Sequence, residues 1–134
     1  NADPRALQIT LNAWDVYERL GDKEGNRAIA HAAVFCACAP KSNAVHSAFN
    51  QAIQAAKDTG DLDVPVHLRN ATTKLLEELG HGKGYRYAHN EPGGFSQGQT
   101  YFPEEMGEQI YYEPTDRGLE IKIKEKLKQL REHL

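Results

Sequence analysis

The run AIAHAAVFCACA, residues 28–39, most limits what this chain can fold into. As a helix it is apolar on every side apart from His31, so it needs neighbours around most of its circumference, and its alanines let them approach closely. The run predicts a helix from about Lys23 to Ala39, the central and most buried one, ended by Pro40. Cys36 and Cys38 lie about 200° apart around such a helix, too divergent for one metal or one disulfide. They read as small buried hydrophobes in a reducing, cytoplasmic setting, and His31 as a core or interface histidine.

The neighbours are legible on both sides. Asp3-Pro4 is a cap followed by proline at the first helical position, so the first helix runs to about Leu20 and stops at Gly21. Leu7, Leu11 and Trp14 mark one of its faces and Ile9, Ala13, Val16 and Leu20 another, which implies cover on two sides. Ser42 caps a third helix through roughly Gly60, with Val45, Phe49, Ala52, Ile53 and Ala56 as a single stripe. After a short extended link, Leu68, Leu75, Leu76 and Leu79 place a fourth helix that begins near Pro65 or Ala71 and ends at Gly80. Residues 91–114 hold prolines, glycines and no sustained period, so they read as a long loop with a short helical turn after Pro103. That loop carries Phe95, Tyr101, Phe102, Tyr111 and Tyr112, rings that need burial somewhere. Thr115 or Asp116 caps a last helix in which Leu119, Ile123, Leu127, Leu130 and Leu134 form a one-sided stripe. The expected class is all-α, a bundle of about five helices with a long aromatic loop. One domain spans residues 1–134: a helical core at 1–90, the loop at 91–114 and the C-terminal helix at 115–134.

Charge and motifs narrow the chemistry. The net charge is −3, and the acidic excess sits in residues 91–118, where Arg117 is the one cation among six acids. Lysines crowd the last helix. There is no strongly basic face of the kind that marks a nucleic-acid binder, and no apolar run approaches the ~18 residues of a membrane span. The six histidines show no metal-binding spacing; His67, His81 and His89 read as structural or hydrogen-bonding residues. GHGKG at 80–84 leaves a helix instead of entering one, and Lys83 is followed by Gly84 where a phosphate loop needs Ser or Thr. No catalytic constellation, cofactor site or metal site emerges. Arg69, Lys74, Lys83 and Arg86, with Tyr85 and Tyr87 between the last two, form the one group suited to a single-stranded nucleic acid. The same residues suit the rim and anchors of a protein interface, which is the preferred reading.

Five segments then carry a resemblance: NADPRA at 1–6, ACAPKSNAV at 37–45, VPVHLRNATTK at 64–74, GKGYRYAHN at 82–90 and YYEPTDRGLE at 111–120. Together they resemble the C-terminal part of the replication-associated recombination protein A family. That family is also called maintenance of genome stability protein A, and its eukaryotic relative is the Werner-helicase-interacting ATPase. The resemblance implies an AAA+ ATPase parent, related to clamp loaders and acting on DNA at stalled forks. Its Walker motifs, with ATP and Mg as cofactors, lie upstream, so the chain, opening on Asn1, is read as a non-hydrolytic piece of a longer protein. It also implies a collar-like fold that assembles the parent into a homotetramer, with single-strand-binding protein as a further partner. Under that reading Trp14, Tyr85, Tyr87, Phe95, Tyr101, Phe102, Tyr111 and Tyr112 are candidate subunit contacts. The alternative is a DNA-contacting module using Arg69, Lys74, Lys83 and Arg86.

Overall fold

The computed structural model describes residues 1–131 and contains five α-helices, with no strand among the described residues. The chain divides into two compact units. Unit 1 comprises Asn1–Val45 and Glu113–Glu125, and unit 2 comprises His46–Tyr112 with the residues from Lys126 onward.

Unit 1 is built on a helical hairpin. Helix α1 (Arg5–Leu20) and helix α2 (Asp22–Cys38) meet at Gly21, whose N–H closes α1 on the Tyr17 carbonyl. Asp3 steadies the start of α1 by accepting from the Arg5 N–H at 3.1 Å. The Arg5 guanidinium lies 5.4 Å above the Phe35 ring, which joins the start of α1 to the end of α2. At the turn end, a Cβ on Gly25 would stand 2.6 Å from the Tyr17 Cα. Glycine there sets how close the two backbones come.

Helix α2 is not the buried centre that its composition predicts. Only Gly25 and Ala32 on it are buried, and Val34 is 66% exposed. Helix α1 covers one side of α2, and a helix that is apolar all round leaves the rest uncovered against a single neighbour. For the same reason His31 is exposed, Cys36 half-buried and Cys38 exposed, so the buried readings of these residues do not hold.

Helix α3 (Ala44–Thr59) starts where Ser42 predicts, and the Ser42 Oγ accepts from the Ala44 N–H at 3.1 Å. The fourth helix is far shorter than its apolar spacing suggests. Residues Val66–Leu68 form one 3-10 turn, and helix α4 is only Lys74–Glu78. Between them the backbone is extended through Arg69 and Thr73, and Thr73 opens a fresh helix by accepting from the Leu76 N–H. Gly80 does end this region in a left-handed conformation (φ 86), with the His81 N–H returning to the Leu76 carbonyl. The stretch 91–114 holds a 3-10 turn at Pro92–Gly94 and the expected turn after Pro103, closed by the Met106 N–H on the Pro103 carbonyl.

The last helix, α5 (Glu120–Arg131), begins three or four residues later than a cap at Asp116 or Thr115 would place it. Gly118 (φ 54) interrupts the chain before it. Neither residue caps: Thr115 binds Glu120, and Asp116 pairs with Lys124 at 2.7 Å. His133 and Leu134 lie outside the described residues.

Candidate functional site

Three constructions hold side chains in defined places. The first, in unit 1, centres on Glu120, the first residue of α5, which is fully buried. Its Oε2 accepts from the Thr115 hydroxyl (2.6 Å), the Ser42 hydroxyl (2.7 Å) and the Thr115 N–H (2.9 Å). Its Oε1 lies 3.0 Å from the Asn1 nitrogen. Burial alone would push this carboxyl up, but the donors from Thr115, Ser42 and Asn1 outweigh it and hold the group well below the usual carboxylate range. The carboxylate therefore ties the opening segment, the α2–α3 junction and α5 together. The Leu119 N–H also bonds to the Ala2 carbonyl at 2.8 Å, and a Cβ on Gly118 would sit 2.1 Å from that oxygen. A left-handed backbone and a close approach both require glycine at 118.

The second construction, in unit 2, is a knot around Arg86. Its guanidinium takes both oxygens of Glu91 at 2.8 Å and also donates to the Gln97 carbonyl. The Arg86 N–H donates to the Gln99 side chain, while its carbonyl accepts from the buried Ser96 hydroxyl. The pairing draws the Glu91 carboxyl down and the Arg86 guanidinium up. This knot, more than a packed core, gives the aromatic loop its shape.

The third, also in unit 2, is a cleft of about 650 Å³. One wall is the turn around Val64, Pro65 and Val66, and the other runs through Phe102, Pro103 and Glu104. The His67 Nε2 donates to the Thr100 carbonyl at 2.8 Å and pins the walls together. Glu104, Glu105 and Glu108 stand at its edge. The one arginine lining it, Arg69, is held by Asp63 at 3.2 Å and by the Val64 carbonyl.

The four cations grouped for nucleic acid are therefore unequal. Arg69 and Arg86 are bound by their own chain, whereas Lys74 and Lys83 are exposed. The candidate contact aromatics also divide. Trp14 is 60% exposed, and Tyr85, Tyr87 and Tyr101 are about half exposed. Phe95, Phe102, Tyr111 and Tyr112 are half-buried, with Phe102 and Tyr111 edge to face at 6.0 Å. Trp14 shares one face of α1 with the exposed Leu7 and Leu11, and Val45, Phe49 and Ile53 are exposed along one stripe of α3. The sequence marks those stripes as apolar. It gives no sign of Glu91, Ser96 or Glu120, whose bonds to Arg86, Ser42 and Thr115 follow no helical or strand period. Among the described residues no group of three or more His, Cys, Asp and Glu side chains is placed to hold a metal ion.

The described residues define an all-helical class of chain, with exposed apolar stripes on α1 and α3. The chain belongs to the family of MgsA AAA+ ATPase C-terminal domains, whose family model matches residues 1–131. It is similar to Replication-associated recombination protein A of Haemophilus influenzae, 59% identical over 132 residues, and of Escherichia coli, 57% identical over 132 residues. These matches cover 98% of this chain and 30% of each relative, so the chain spans about a third of their length. The protein named ATPase WRNIP1 in Dictyostelium discoideum is 31% identical over 112 residues, covering 84% of this chain and 13% of that protein. No helix among the described residues is long and apolar enough to cross a membrane.

Proposed function

We propose that this chain is the self-association module of a replication-associated AAA+ ATPase and brings the parent into a homotetramer. One observation carries the reading. Among the described residues the buried apolar side chains are four alanines, Ala2, Ala13, Ala32 and Ala44, while Leu7, Trp14, Val34 and Phe49 are 60–69% exposed. Burying a large apolar side chain contributes roughly 1.5–3 kcal/mol, and monomeric proteins rarely leave large contiguous apolar faces open. Further copies of the chain supply the missing neighbours of α1, α2 and α3, and the exposed aromatics complete the contacts.

Under this reading the chain itself does not hydrolyse ATP. ATP and Mg act in the upstream part of the parent, which works on DNA in the cytoplasm, and single-strand-binding protein belongs with the parent. The nucleic-acid reading is weaker, because Arg69 and Arg86 would have to give up Asp63 and Glu91. It predicts binding to single strands or forks that falls steeply with salt. The self-association reading is tested by light scattering on this chain. A tetrameric mass is expected, and a strict monomer at high micromolar concentration refutes it.

A further inference from the structure

The α1–α2 hairpin of unit 1 has two open sides, and they differ in character. Ala13 and Ala32 are buried where the helices meet and mark the line of contact. On one side a groove runs past Asn12 and His31, both polar and exposed. At about 100° per residue, each of these lies about 100° from the buried alanine of its own helix, in one rotational sense. Leu7, Thr10 and Trp14 lie about 60–120° from Ala13 in the opposite sense, and so do Asn26, Ile29 and Ala33 from Ala32. These six residues therefore share the other side of the hairpin. All six are exposed, Leu7, Trp14 and Ile29 by 69%, 60% and 43%, and none is charged. The Thr10 hydroxyl already donates to the Leu7 carbonyl at 2.8 Å, so covering it strands no donor.

The two helices put different shapes on that side. Helix α1 raises Leu7 and Trp14, whereas α2 offers Ala33, with the exposed Ala37 beyond it. The approach of Tyr17 to Gly25 fixes the levels, since antiparallel helices rise equally per residue. Leu7 stands level with the stretch from Ala33 to Ala37, and Trp14 with the stretch from Asn26 to Ala30. A second hairpin related by a two-fold axis along the helices lays its α1 over this α2 and its α2 over this α1, at unchanged levels. Large side chains then enter gaps above small ones at both places, whereas α1 laid on α1 would set bulk against bulk. The area also suffices. The helices have 16 and 17 residues, so the side is about 25 Å long and about 20 Å wide. Two copies bury about 1,000 Å² in all, the size a specific interface must reach.

We propose that two copies of this chain pair through the Leu7, Trp14 and Ala33 side of the α1–α2 hairpin, α1 of each lying on α2 of the other in a four-helix bundle. The proposal rests on the self-association reading and names one of its surfaces and the helices that meet there. Because both surfaces are the same uncharged patch, each copy supplies the cover that the other lacks.

A pair of size changes tests it. Leu7→Ala removes the large side chain, and Ala33→Leu fills the gap that receives it. Each change occurs twice in a two-fold contact and is expected to weaken association about tenfold or more, measured by sedimentation. Alanine and leucine both favour helix, so helical content by circular dichroism should be unchanged, and Ala33→Met replaces Ala33→Leu if that protein does not fold. Mixing the two variants should restore association, because the alanine at 7 of one copy meets the leucine at 33 of the other, while the second contact is that of wild type. Trp14 is the single tryptophan, so wild-type emission should shift to the blue as concentration rises and pairing covers the ring. Wild-type association by either variant overturns the proposal and leaves self-association standing. So does loss in both without recovery on mixing, or emission that stays constant while the mass grows. A wild-type protein that is itself monomeric refutes the self-association reading, and this contact with it.

Discussion

Replacing Glu120 by glutamine keeps the shape of the buried side chain and removes its charge. Three donors converge on the Glu120 Oε2, two from Thr115 and one from Ser42, and the Asn1 nitrogen faces Oε1. A glutamine can set its carbonyl oxygen toward the three donors, but its amide then confronts the Asn1 nitrogen with donor against donor. Hydrogen bonds to a charged acceptor are roughly twice as strong as neutral ones, so weakening three of them and opposing a fourth costs about 2–4 kcal/mol. For a chain of this size that lowers Tm by about 6–20 °C, taking about 3–5 °C per kcal/mol. The assay is thermal denaturation of wild type and Glu120→Gln at one protein concentration, since association shifts Tm.

The pH dependence has a definite sign. The carboxyl of Glu120 is depressed in the folded state, so its contribution is fully present above the unfolded glutamate value of about 4.3 and is lost as pH falls below it toward the folded value. The difference between wild type and variant should be constant near neutrality and shrink under acid. A Glu120→Gln protein that melts within about 2 °C of wild type at neutral pH would refute the claim that this carboxylate ties unit 1 together.

Three further outcomes are expected. Gly25→Ala puts a methyl group 2.5 Å from the Tyr17 ring and 2.6 Å from its Cα, so α1 and α2 must part, at a cost of about 1–3 kcal/mol read in thermal melts; an unchanged Tm would show that the hairpin has room. Phe49→Asp on the open stripe of α3 should lower the assembled mass by light scattering while leaving helical content intact, and an unchanged mass would remove that stripe from the interface. Arg86→Ala should speed amide exchange through residues 86–99 and leave α1 and α2 as protected as before; unchanged exchange in the loop would mean that the knot does not hold it.

The ends of α1, α2 and α3 are legible in the sequence because each is written locally, in Asp3-Pro4, Gly21, Pro40 and Ser42. The region after Pro65 is not, because Leu68 and Leu75 fit a helical period although the chain between them is extended and restarts only at Thr73. The start of α5 is misplaced for a related reason. Thr115 looks like a cap, but its hydroxyl is spent on Glu120, and Gly118 holds a left-handed backbone that no helix could pass through. Glu91, Ser96 and Glu120 are invisible beforehand, since a polar side chain bonded at a spacing that fits no helix or strand period, five residues for Glu91, ten for Ser96 and 78 for Glu120 to Ser42, leaves no periodic mark. Composition does show how apolar α2 is. What it leaves open is whether the cover comes from the same chain or another.

The join at Glu120 also orders events during synthesis. Its bond to Ser42 spans 78 residues, and Leu119 reaches back to Ala2, so residues 1–42 meet these partners only after residues 115–120 have left the ribosome. The hairpin of α1 and α2 can form early from local contacts, but its anchoring must wait for that long loop to close. During this interval its greasy flanks are open to chaperones and to neighbouring nascent copies.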